Sequence, residues 1–196
     1  MLPIGVMPPR RWTVWIPAVA AAALVASGAF ADPWPALPIP PENARTLRAA
    51  PPRPPAGDVA DRARLLVDAL RTGTPDAVRQ ADGFFLPREP FLAIKDMSGA
   101  AGYFATLLRW FHRDLEAERA RRRDWSDARF VGFDLSRACT WMTVGREANR
   151  LPYWSCYRSA LRVAVGGAVQ RVEVRVMIHW GTRWYATHLG AIPRPT

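Results

Sequence analysis

Cysteine, histidine and lysine are all scarce in this chain of 196 residues, which has two cysteines, three histidines and one lysine, Lys95. So few cysteines and histidines exclude a disulfide-dense miniature fold and a protein built on several zinc ions. No Cys-x-x-Cys is present, so thiol exchange lacks its motif. Gly-x-Ser-x-Gly, His-Glu-x-x-His and a phosphate-binding glycine loop are missing too, which removes the common hydrolase and nucleotide signatures. Beyond the N-terminal region no apolar run reaches the roughly 18 residues that span a bilayer. Acids are outnumbered, 17 against 27 Lys and Arg. With 49% hydrophobic residues, the chain has the composition and length of one ordinary globular domain with a tail.

Arg10 and Arg11 precede an apolar stretch from Trp12 to Phe30 that ends in Ala29-Phe30-Ala31, the small-residue spacing of a cleavage site. Residues 1–31 are therefore expected to be a signal peptide cut after Ala31, leaving a periplasmic or secreted protein. An uncleaved anchor is the alternative, disfavoured by Pro17. The arginine pair does not complete a twin-arginine pattern, and no cysteine near the cut invites lipid attachment. Removing this segment takes away two arginines and no acids, so the mature chain stays basic. For an exported protein the excess charge points to a solvated surface or an anionic one, such as lipid headgroups or wall polymers, and no nucleic-acid partner is expected. Residues 32–57 carry proline at almost every second or third position and read as an extended tether before a domain at 58–196.

Asp58 offers an N-cap to a helix over 59–71 ended by Gly73, and Thr74-Pro75-Asp76 starts a short second helix running to about Ala81. Pro87 and Pro90 make Phe84 to Lys95 an expected irregular connection. Ser98 is the expected cap of a long helix whose Phe104, Leu107, Leu108, Phe111 and Leu115 fall on one face. His112 sits within reach of Glu116 at i+4. From Ala128 the period changes to alternation, with strands expected over 128–137, 158–165, 169–180 and 183–189. Helices followed by an antiparallel meander make the fold α+β, with the N-terminal helices on a curved sheet.

A two-residue Gly166-Gly167 turn would oppose Arg162 to Arg171, so a four-residue connection opposing Arg162 to Glu173 is the preferred register. In the last hairpin Gly181-Thr182 opposes Trp180 to Arg183, His179 to Trp184 and Arg175 to His188. Val172, Val174, Val176, Ile178, Tyr185, Thr187 and Leu189 then face the helices. Arg171, Glu173, Arg175, Met177, His179, Trp184, Ala186 and His188 share the open side.

The closing Trp180-Gly-Thr-Arg-Trp184-Tyr185-Ala-Thr-His188-Leu189, following helices and a long-stranded meander, resembles the last hairpin of NTF2-like (cystatin-like α+β cone) domains, including those of exported bacterial proteins. The resemblance covers about residues 58–192 in architecture and about ten residues in motif. It implies a cone with an internal cavity, used by isomerases, cyclases and dehydratases and by non-enzymatic binding or assembly domains. Enzymes of that family place an acid, often with Tyr or His, inside the cone, whereas the core-facing residues derived above include no Asp or Glu.

Cys139 and Cys156 bracket one inter-strand segment. In an oxidising compartment they are expected to bridge, adding about 3 kcal/mol by loop entropy, with two buried thiols as the alternative. His179 and His188 would sit about 13 Å apart along the sheet, too far to share a zinc, so no metal site is expected. His179 is instead placed beside Trp184. Lys95 and Asp96, before the long helix, are the least ordinary charged pair, because a lone lysine in an arginine-biased chain invites a chemical reason. Trp110, Trp141, Tyr153 and Trp154 are expected near the cone's mouth as aromatic walls or packing. No cofactor is expected.

The expected function is an exported, non-catalytic domain that binds a small molecule or a protein. A homodimer through the open face carrying Met177, Trp184, Arg175 and His188 is included in that reading. The alternative is a small cone-cavity isomerase, cyclase or hydrolase using a His or Lys base. A buried ionisable group lining an enclosed cavity separates the two.

Overall fold

The computed structural model describes residues 52–122 and 124–190; the expected signal segment and the proline-rich residues up to 51 lie outside the described residues. The described part begins with helices α1 (Val59–Thr72), α2 (Pro75–Ala81), α3 (Arg88–Ile94) and α4 (Ala100–Ala120). Strands β1 (Arg129–Asp134), β2 (Cys139–Met142), β3 (Tyr153–Val165), β4 (Ala168–Trp180) and β5 (Arg183–His188) follow. The fold is α+β, with the helices packed against a five-stranded antiparallel sheet.

Two helix ends follow the sequence signals. Thr74 caps α2 by accepting from the Ala77 N–H at 3.3 Å, with Pro75 in the first turn, where its missing N–H costs nothing. Gly73 ends α1 in the left-handed region at φ 63°, and a Cβ there would lie 2.3 Å from the Arg119 guanidinium carbon. Asp58 precedes α1 but does not cap it; its carboxylate pairs with Arg62 at 3.2 Å and Arg183 at 3.1 Å.

Three local expectations need correction. The stretch from Phe84 to Lys95 is not irregular, because Pro87 stands at the N-cap of α3 and Pro90 in its first turn, where no helical N–H is required. Gly99 at φ 76°, not Ser98, precedes α4. His112 pairs across to Asp82 at 2.5 Å and not along its own helix to Glu116. The apolar face of α4 is as expected, with Phe104, Leu107, Phe111 and Leu115 buried.

β1 and β2 both pair with β3, β1 along Ala160–Ala164 and β2 along Tyr153–Cys156, and β4 and β5 complete the sheet. The preferred β3–β4 register is overturned. Gly166 and Gly167, at φ 57° and 74°, form a two-residue turn that opposes Arg162 to Arg171 and Leu161 to Val172. Asp134 on β1 removes the objection of like charges, binding Arg162 at 3.2 Å and Arg171 at 2.9 Å. In the last hairpin Trp180 opposes Arg183 and His179 opposes Trp184 as expected. A bulge between Val176 and Met177 then sets His188 opposite Val176, not Arg175.

One face of the sheet carries Leu161, Val163, Val172 and Val174 into the core shared with the helices. The other face is not open along its length, since Met177, Trp184 and Ala186 are fully buried and His179 nearly so. The end of the proline-rich segment contributes there, because the Trp184 indole N–H donates to the Pro55 carbonyl at 2.9 Å. Arg53 reaches the Ser136 carbonyl at 3.0 Å. Residues 52–57 therefore belong to the folded body. Phe85 and Leu86 cover the free edge of β5, with the Leu86 N–H bonded to the Ala186 carbonyl at 2.8 Å.

Candidate functional site: a cavity between the sheet and helices α3 and α4

A cavity of about 430 Å³ lies between the inner face of the sheet and helices α3 and α4. Its apolar walls include Phe91 and Leu107 from the helices and Val176 and Ile178 from β4. Alternation along β3 presents Tyr153, Ser155 and Tyr157 on the same side. The ionisable wall groups are Lys95, Tyr103, Glu147, Tyr153, Tyr157 and His188.

Lys95 follows the last turn of α3, where its backbone N–H bonds to the Phe91 carbonyl and its strand-like ψ turns the chain toward residues 148–150. Its ammonium donates to the Glu147 carbonyl at 2.8 Å, and only 8% of the residue is exposed. Burial pushes its pKa below the ordinary value, with the Glu147 charge opposing part of that shift. Glu147 stands in a short 3-10 turn, Arg146–Ala148, in which both Glu147 and Ala148 have φ 51°. Such conformations cost a non-glycine residue on the order of 1 kcal/mol and persist where the surroundings hold them. Here the Tyr153 hydroxyl donates to the Glu147 carboxylate at 3.1 Å, and the Asn149 amide donates to the Tyr153 oxygen at 3.2 Å. Burial first, and Glu147 second, raise the pKa of both Tyr153 and Tyr103, so both phenols stay protonated.

His188 enters the cavity because of the β5 bulge. Burial, and then the neighbouring Lys95 charge, lower its pKa to about 4, so the imidazole is neutral near pH 7. One ring nitrogen meets the Thr187 hydroxyl at 3.2 Å, whereas buried Nε2 has no hydrogen-bond partner. Cys139 and Cys156 are directly opposed on β2 and β3, 4.0 Å apart at Cα, and form a disulfide. That bridge closes the segment that carries Glu147, Asn149 and Tyr153.

Of the residues singled out from sequence, the cavity brings together Lys95, Tyr153 and His188. Asp96 is exposed beside it, with its backbone N–H bonded to the Ala148 carbonyl at 2.7 Å. Trp110 is half-buried against the core and does not line the cavity. Trp141 and Trp154 pair on the other face of the sheet, ring centres 5.7 Å apart. His179 and Trp184 make an edge contact at 5.1 Å on that same face, where Arg175 pairs with Glu173. The expected placement of His188 on the open face is corrected by the bulge. Sequence reading missed Glu147, Tyr103 and Tyr157. Glu147 lies 52 residues from Lys95, and no periodicity connects a loop acid to a residue after a helix.

A larger groove of about 650 Å³ runs beside α1, α2 and the end of α4, lined by Arg71, Arg79 and Arg119. Its arginines are already engaged: Arg71 with Asp68, Arg79 with Asp76, Arg119 with the Leu70 carbonyl and Arg122 over the Trp125 ring. The smaller cavity brings buried Lys95 and Tyr153 together with His188, whose buried Nε2 has no partner, and is the better site. Among the described residues no group of three or more His, Cys, Asp or Glu could hold a metal, and no helix is long and apolar enough to cross a membrane. No family model, curated protein or solved structure matches the chain.

Proposed function

We propose that the chain is an exported NTF2-like domain whose internal cavity binds a small, mainly apolar molecule with one polar end. The observation that supports it is the composition of the 430 Å³ cavity, apolar around Phe91, Leu107 and Ile178 and polar around Lys95, Glu147 and His188. Such a pocket buries the body of a ligand and orients its head. Export by residues 1–31, with the domain held on the proline-rich segment, is part of the same reading.

Calorimetric titration with 2-naphthylmethanol tests the pocket. Saturable one-to-one binding is expected, weakened about tenfold or more by Val176→Phe, which fills the wall. Equal binding by a folded Val176→Phe variant would refute it. Intact-mass measurement of the exported protein tests cleavage after Ala31.

A second reading, an acid–base enzyme, is favoured by one observation: a neutral imidazole and a buried ammonium face the same cavity. The loop acid Glu147 supplies the carboxylate that the strand alternation alone did not.

A further inference from the structure

We propose that Lys95 is a nucleophilic amine that captures the carbonyl group of a small apolar aldehyde or ketone as a Schiff base. The inference rests on reading the cavity as a small-molecule site and names the class of ligand.

Lys95 stands in the cavity wall. Among the described residues no carboxylate lies within ion-pair distance of its Nζ; the hydrogen bond it makes is to the neutral Glu147 carbonyl. A buried ammonium without a contacting carboxylate is disfavoured, and the free amine gains relative to it. Composition singles out the same residue. Every other cationic side chain in the sequence is arginine, whose guanidinium stays protonated and cannot add to a carbonyl. The only residue able to supply a primary side-chain amine stands at the one cavity that also holds a buried, unpartnered imidazole nitrogen, His188 Nε2. Apolar walls at Phe91, Leu107, Val176 and Ile178 offer a seat for the body of an apolar carbonyl compound.

The step balances without a further reactant. The Nζ lone pair forms the C–N bond as the carbonyl π electrons move to oxygen. One proton passes from nitrogen to that oxygen, giving a carbinolamine. The hydroxyl then leaves as water, taking the second nitrogen proton, and a C=N bond remains. Amine and carbonyl compound are converted to imine and one water, with no change in oxidation state.

The test treats the full-length protein with 2-naphthaldehyde and sodium cyanoborohydride near neutral pH, followed by intact-mass measurement and peptide mapping. Besides adduct at the N-terminal amine, a reduced adduct on Lys95 is expected, formed about tenfold or more faster than on Nα-acetyl-lysine and slowed by excess 2-naphthylmethanol. Lys95→Arg, which keeps a hydrogen-bond donor but has no amine able to add to a carbonyl, should lose that adduct. Labelling confined to the N-terminal amine, or Lys95 labelling no faster than the free amino acid and insensitive to the alcohol, would overturn the proposal. If the alcohol binds and no Lys95 adduct forms, the carbonyl chemistry fails and the pocket stands. If neither occurs, both fail. Should Lys95→Arg not fold, the wild-type map and the alcohol competition decide alone.

Discussion

Arg162 and Arg171 face each other directly across β3 and β4, and the Asp134 carboxylate on β1 forms an ion pair with each, at 3.2 and 2.9 Å. Two like charges at one cross-strand position would ordinarily repel. One shared anion converts the repulsion into a three-residue link that ties β1 to the central hairpin. The side chains are 41% to 63% exposed, so solvent weakens each pair.

Asp134→Asn should therefore destabilise the domain by about 0.5–1 kcal/mol, read from urea unfolding. The loss should shrink near 1 M salt, where the screening length is about 3 Å. In an Arg171→Ala background the same change should cost less, because one of the paired cations is gone. An Asp134→Asn effect that is independent of salt and of Arg171 would rule out this role.

The helical face of α4, the start of α2 and the α+β order were legible because each depends on residues within a few positions of one another. The β3–β4 register was not, since the group that decides it, Asp134, lies on a third strand and pairwise cross-strand rules omit it. The prolines before and within α3 read as breakers because their tolerance depends on where the first turn falls. Most of the candidate site was hidden for a similar reason. A single bulge turns His188 from one face to the other, and the strained turn at Glu147 leaves no periodic trace. Lys95 could be found from composition alone because it is the only lysine.

The Cys139–Cys156 bridge closes a loop with a sequence separation of 17 residues that carries Glu147 and Tyr153. Replacing both cysteines by serine should cost about 2–4 kcal/mol in urea unfolding. Binding of 2-naphthylmethanol should weaken as well, because the loop acid and the phenol lose their restraint. Intact mass of the wild-type protein should be two hydrogen atoms lower than that of its reduced form. Unchanged binding in the double serine variant would separate the bridge from the site.

The His188 pKa is about 4 in the folded chain against an ordinary 6.5, so the unfolded chain binds that proton more readily. Its contribution to stability is full above about pH 6.5 and is lost as pH falls toward 4; below that both states are protonated. Lys95, Glu147, Tyr153 and Tyr103 line the same cavity, and Lys95, whose pKa is also lowered, contributes with the same sign in an alkaline window below 10.5. His188→Gln should flatten the wild-type stability slope between pH 6.5 and 4, by an amount on the order of 2 kcal/mol across the window. The check is urea unfolding of both proteins at several pH values. Parallel curves would mean that His188 does not titrate against burial.

Glu147 and Ala148 both sit at φ 51°, and the two differ in what they give back for it. The Glu147 carboxylate accepts from Tyr153, and its carbonyl holds Lys95. Ala148 is exposed, and what it gives back is a backbone bond, its carbonyl accepting from the Asp96 N–H at 2.7 Å, which a glycine would keep. Ala148→Gly should therefore leave stability unchanged or raise it by up to about 1 kcal/mol, with naphthaldehyde labelling of Lys95 preserved. Glu147→Gly relieves the same kind of strain but removes the acceptor for Tyr153, so its stability change should be smaller than about 1 kcal/mol in either direction. Lys95 labelling should fall or lose its sensitivity to 2-naphthylmethanol in that variant, because the polar end of the cavity has lost its carboxylate. The two variants thus separate a turn strained for folding from one strained for the site: if Glu147→Gly labels like wild type, the strain at this turn has nothing to do with the cavity.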